Sequence, residues 1–113
     1  MNERTYTLPV PPSANEYWTV YNNRIVVTAK ARAYKQEIAW LLKQSEPLTG
    51  DVSVNFTVFR PRKSGDLDNY CKVMFDALQG LAYENDSQIV EIHSFREDDK
   101  DNPRVEIYIY EET

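Results

Sequence analysis

Apolar side chains recur along this chain at two spacings, and each predicts an element. Over residues 4–10, Tyr6, Leu8 and Val10 alternate with other residues at the period of a strand with one buried face, and Pro11 and Pro12 end the run. PPSAN then reads as a turn. Arg24 to Val27 is a short β-branched run that suggests a small strand, and Thr28 stands where it can cap a helix. From Ala29 to about Ser45, Tyr34, Ile38, Leu41 and Leu42 fall on one helical face, until Pro47 and Gly50 stop the pattern. Val52, Val54, Phe56 and Val58 alternate with Ser53, Asn55 and Thr57 as a second strand. Over residues 68–82, Cys71, Met74, Leu78 and Leu81 form a second helical stripe with Phe75 beside it. Gln88 to Phe95 and Val105 to Tyr110 are two further strands, joined by the polar stretch REDDKDNP.

This order predicts an α+β fold in which two helices pack on one face of a mainly antiparallel or mixed sheet. The last two strands are close enough in sequence for a hairpin. The chain, 113 residues, has room for one core, so residues 1–113 are expected to form a single domain.

Composition adds three constraints. The lone cysteine, Cys71, has no partner for an intramolecular disulfide, which fits a reducing compartment. The first residues lack an apolar leader, and the longest apolar stretch, Ile38 to Leu42, is far below the roughly 20 residues of a membrane span, so a cytoplasmic protein that makes no membrane contact is expected. Net charge is −5 but unevenly spread: residues 1–63 carry nine Lys/Arg against five Asp/Glu, residues 64–113 four against thirteen. A basic half joined to an acidic half is able to present phosphate contacts beside a cation site, although two ordinary solvated surfaces would read the same way.

The candidate chemistry lies in RPRKSGDLDN and after it. Asp66 and Asp68 converge only if residues 65–68 are extended and the helix begins at about Asp68, which Gly65 permits. Two ionised carboxylates there need a cation, and Mg²⁺ is a hard ion held by one or two carboxylates with waters and phosphate oxygens. The alternative is helix capping and turn polarity. Asp86, in ENDSQ, is a third acid that reaches the first two only if the intervening helix packs across the sheet edge. Lys72 lies four residues after Asp68, either as an ion-pair partner or as a cation beside the metal site, while Asp76 extends the same face and is expected to pair with Lys72. Arg60, Arg62 and Lys63 form a basic run leading into the acids, and Lys30, Arg32 and Lys35 would widen a DNA surface; solvated polar faces account for both groups as well. His93 is the only histidine and sits in a predicted strand, and three glycines make no nucleotide-binding loop, so triad and Walker-type chemistries find no support.

Taken together, PPSANEYW, GDLDNYCKVMFDALQG and ENDSQIVE, in order over residues 5–110, resemble the RusA family of Holliday junction resolvases. The resemblance implies that Asp66, Asp68 and Asp86 form a divalent-metal site taking Mg²⁺, with Mn²⁺ able to substitute, and that Lys72 is the essential lysine. It implies a homodimer that makes paired incisions in four-way DNA junctions during recombination and repair, encoded by a bacterium or a phage. Trp18, Trp40 and the tyrosines are candidate contacts for such a dimer. RPRKSG is less densely basic than the corresponding run in family members with consecutive arginines. A noncatalytic junction- or fork-binding protein with the same fold is the alternative.

Overall fold

A computed structural model describes residues 2–61 and 67–112, apart from the side chains of Ala14 and Asp68. The chain runs β1 (Glu3–Leu8), α1 (Ala14–Tyr17), β2 (Trp18–Tyr21), β3 (Arg24–Val27), α2 (Ala29–Leu41), β4 (Val52–Arg60), α3 (Leu67–Leu78), a 3₁₀ turn (Asp86–Gln88), β5 (Ile89–Asp98) and β6 (Arg104–Glu111). The α+β expectation is met. Four strands form one mixed sheet in the order β1-β6-β4-β5, and β2 and β3 form a separate ribbon.

β4 organises the core. Its Val52, Val54, Phe56 and Val58 all point to one face, where they meet Val105, Ile107 and Ile109 of β6, Tyr34 and Ile38 of α2, and Met74 and Leu78 of α3. Alternation places these groups on one side, and the two helices shield that side from water. Thr28 caps α2 as expected, accepting from the Ala31 N–H at 3.2 Å. Among the described residues no helix is long and apolar enough to cross a membrane.

The expected hairpin of the last two strands is corrected. β5 pairs with β4 in parallel, whereas β6 lies on the other side of β4, antiparallel to it and to β1. The connection between them therefore passes over the end of β4, and β4's last residue anchors it. The Asp99 N–H donates to the Arg60 carbonyl at 2.8 Å, and the Arg60 guanidinium holds Asp98 through Nε at 2.9 Å and Nη2 at 2.8 Å. Arg104 closes the loop from the far side, bonding Asp99 at 2.9 Å while stacking on Phe59.

Two elements were not expected. PPSAN opens into the short helix α1, and the ribbon turns at Asn22 and Asn23, both at positive φ (51° and 63°). Two consecutive left-handed residues match a tight hairpin turn with the twist of its strands, and Asn tolerates that conformation better than other non-glycine residues.

Candidate active site

α3 carries the central part of the site. Tyr70, Met74, Ala77 and Leu78 bury its inner face, and Val73 packs with Tyr17 and Ala31 in a second small cluster. That packing fixes the helix about its axis and leaves Lys72 exposed. Asp76, one turn further on, is not Lys72's partner: its Oδ2 accepts the Tyr17 hydroxyl at 2.5 Å and the Lys35 ammonium at 3.0 Å. Burial, and then the hydrogen bond to Asp76, raise the Tyr17 phenol far above its ordinary value, so it remains a donor. Among the described side chains no carboxylate pairs with Lys72.

Asp86 opens the 3₁₀ turn that leads into β5. Asn85 caps this turn, accepting from the Ser87 N–H at 2.9 Å, while the Gln88 side chain accepts from the Asn85 N–H at 2.7 Å and donates to the carbonyls of Leu48 and Gly50. The Asp86 N–H itself donates to Gln79 Oε1 at 3.1 Å. With the backbone so occupied, the Asp86 carboxylate stands exposed and accepts no hydrogen bond from a described residue. It is close to Tyr83, whose phenol is raised by burial and then by the charges of Asp86 and Asp76; the Tyr83 hydroxyl donates to the Phe75 carbonyl at 2.6 Å.

The arrangement of the acids follows from the parallel β4–β5 pair. The chain leaves β4 at Arg60, yet β5 begins beside Val52, at the opposite end of β4. α3 makes the return. Its second residue is Asp68, and Gln79, which holds Asp86, follows its last residue; at 1.5 Å per residue these positions lie roughly 16 Å apart along the helix axis. Within one chain the backbones at Asp68 and Asp86 thus occupy opposite ends of α3. Asp66 and the side chain of Asp68 lie outside the described residues, as do Arg62 and Lys63.

The described cations divide into occupied and available. Arg60 differs from the expectation of a DNA-facing group: it is 7% exposed, and its guanidinium is spent on Asp98 at the end of β5. Replacing Asp98 by Ala strands that guanidinium, and a loss of about 2 kcal/mol in unfolding free energy is expected from the denaturant midpoint. Lys35 is tied to Asp76. Lys30 pairs with Glu16 at 3.1 Å on an open surface, where such pairs are worth at most about 1 kcal/mol and leave the ammonium available. Arg32 spends one N–H on the Val27 carbonyl at 2.7 Å and keeps its charge exposed.

Residues 9–110 match the family described as Endodeoxyribonuclease RusA. The crossover junction endodeoxyribonuclease RusA of Escherichia coli strain K12 is 34% identical over 96 residues, covering 80% of each chain. That of Enterobacteria phage 82 is 34% identical over 96 residues, again covering 80% of each, and that of Shigella sonnei is 32% identical over the same length. A match over nearly the whole length, joined to an α+β fold whose α3 and 3₁₀ turn carry the motif residues Lys72 and Asp86, places this chain in the RusA endodeoxyribonuclease family.

Proposed function

We propose that this chain is a crossover junction endodeoxyribonuclease that resolves four-way DNA junctions as a homodimer, in recombination and repair, in a bacterial or phage-infected cytoplasm. The donor set fits Mg²⁺, with Mn²⁺ as a substitute: Asp66, Asp68 and Asp86 offer only hard carboxylate oxygens, and Asp86 has an exposed carboxylate with no described donor. When bound, the ion would supply charge to the scissile phosphate and activate water for hydrolysis to a 5′-phosphate and a 3′-hydroxyl.

The observation that carries the reading is the separation of the acids along α3. A helix of this length keeps the Asp68 and Asp86 backbones apart within one chain, which supports a three-acid site that would be completed where two protomers meet. Asp66 and Asp68 of one copy would face Asp86 of the other, and the two-fold axis would generate a second site for the opposing strand. Dimerisation and paired incision then share one cause.

Lys72, exposed and without a described partner, would stabilise charge developing on the phosphate, and the Tyr17–Asp76–Lys35 junction holds its helix in place. Lys30 and Arg32, with Arg62 and Lys63, would bind the backbone of the arms. Cleavage of a synthetic four-way junction in Mg²⁺, beside a linear duplex of the same sequence, tests the proposal: only the junction should be cut, in opposing strands. Tight binding without incision would instead leave the noncatalytic reading.

A further inference from the structure

We propose that the β2–β3 hairpin enters the branch point of the junction, its apolar tip replacing base stacking that the branch leaves incomplete. The inference rests on the reading of this chain as a junction-cleaving enzyme and adds the element that recognises the branch.

Among the described residues the ribbon belongs to no larger sheet. Val20 and Ile25 are cross-strand partners, 70% and 77% exposed, and the neighbouring Tyr21 is 65% exposed. The turn at Asn22 and Asn23 places these three side chains at the end of the ribbon, where their exposure carries a cost and they add nothing to the core. Two cations, Arg24 and Arg32, stand beside the tip. Residues 18–36 contain no Asp or Glu, in a chain whose net charge is −5. Arg24 lies opposite Tyr21 across the ribbon, and Arg32 shares a shallow groove with Tyr21 and Val26.

Charge selects the occupant. A two-fold interface built from this patch would set the same cations against themselves. DNA offers phosphates to Arg24 and Arg32, and a branch point adds exposed base faces against which Val20, Tyr21 and Ile25 can stack or wedge. A linear duplex has no such faces. Position agrees as well: Tyr17, the residue before β2, is tied to Asp76, one helical turn from Lys72. Four strand residues carry the tip roughly 13 Å from that tie, about four base-pair steps. The tip and Lys72 therefore address one neighbourhood of the DNA.

The test combines Val20→Thr, Tyr21→Thr and Ile25→Thr, which preserves strand propensity, and compares it with Ile25→Thr alone and with Arg24→Gln. Affinity is measured in Ca²⁺ by anisotropy for a four-way junction and a linear duplex, with 2-aminopurine at the branch and light scattering alongside. The triple variant should lose tenfold or more in junction affinity, remain within twofold for duplex, give no 2-aminopurine response, and scatter as the parent does. Ile25→Thr alone should lose about threefold on the junction, and Arg24→Gln should weaken both DNAs alike. Parental junction affinity and 2-aminopurine response in the triple variant would overturn the inference. So would a change of oligomeric state in it, which would make the hairpin a protomer contact. A parent protein that neither binds nor cuts any four-way junction would overturn the functional reading itself, and this inference with it.

Discussion

Mixing Asp68→Asn protein with Asp86→Asn protein should restore junction cleavage that neither variant performs alone. Each homodimer lacks one carboxylate at both sites, and a loss of at least about a hundredfold is expected, the scale on which a preorganised charged group contributes. In a heterodimer built as proposed, one site collects both substitutions and the other collects none. Random exchange of protomers makes half the dimers mixed, so about a quarter of the parental sites return. Because each mixed dimer has one working site, a cruciform plasmid should be nicked and not linearised. Asp66→Asn mixed with Asp68→Asn is the control: both substitutions would lie on the same side of the interface, so every site keeps a defect. Junction binding in Ca²⁺ should survive in all of these variants, since removing negative charge near a phosphate does not oppose it. Heterodimers verified by two affinity tags that still show no cleavage would mean that the acids are not shared between protomers. A monomer at micromolar concentration would sink the dimer outright.

The separation behind this prediction was invisible in the sequence, for a definite reason. Periodicity reports which face a residue occupies, and it read β4 and most of the inner faces of α2 and α3: Val52, Val54, Phe56, Val58, Tyr34, Ile38, Leu42, Met74 and Leu78 are buried, whereas Leu41 of the expected α2 stripe is exposed. It does not report which strands are neighbours. β5 and β6 looked like a hairpin because only a short polar stretch joins them, yet β4 lies between them, and its parallel pairing with β5 sends Asp86 to the far end of α3. The alternation that locates a core is the same for either topology.

Pairing of charges failed to be legible for a related reason. Asp76 is four residues from Lys72, the spacing of a local ion pair, but Tyr17 and Lys35 reach it from 59 and 41 positions away. Arg60 reads as one of a basic run, whereas its partner Asp98 is 38 positions on. For Asp76, contacts between elements outweigh a local helical preference worth only about 0.2–0.5 kcal/mol. The β2–β3 ribbon was half seen: Arg24 to Val27 carried a strand signal, while an Asn-Asn turn in place of Asn-Gly hid its partner. Asp86 and Lys72 are nominated by motifs, which are sequence features, and the fold gives each a position on the frame built around β4 and α3.

Replacing Lys72 by Met should separate chemistry from binding. The side chain is exposed and no described carboxylate pairs with it, so the unfolding free energy should change by less than about 0.5 kcal/mol, as for most surface substitutions. Met keeps much of the aliphatic stem and removes only the ammonium. If that ammonium stabilises charge on the phosphate as it reacts, the single-turnover rate at saturating enzyme should fall by about a hundredfold or more, with the junction Kd nearly unchanged. If Lys72 instead grips a phosphate distant from the cut, the signature reverses: the saturated rate is retained, affinity falls, and the slope of log Kd against log salt drops by about one contact. Lys72→Arg discriminates further, since it keeps the charge but exchanges a compact ammonium for a wide planar fork. A phosphate clamp should accept that exchange with near-parental affinity. A group aimed at the reacting oxygens should recover only part of the lost rate. A Lys72→Met protein that cuts at the parental single-turnover rate would remove Lys72 from the chemistry and leave the acids to act without it.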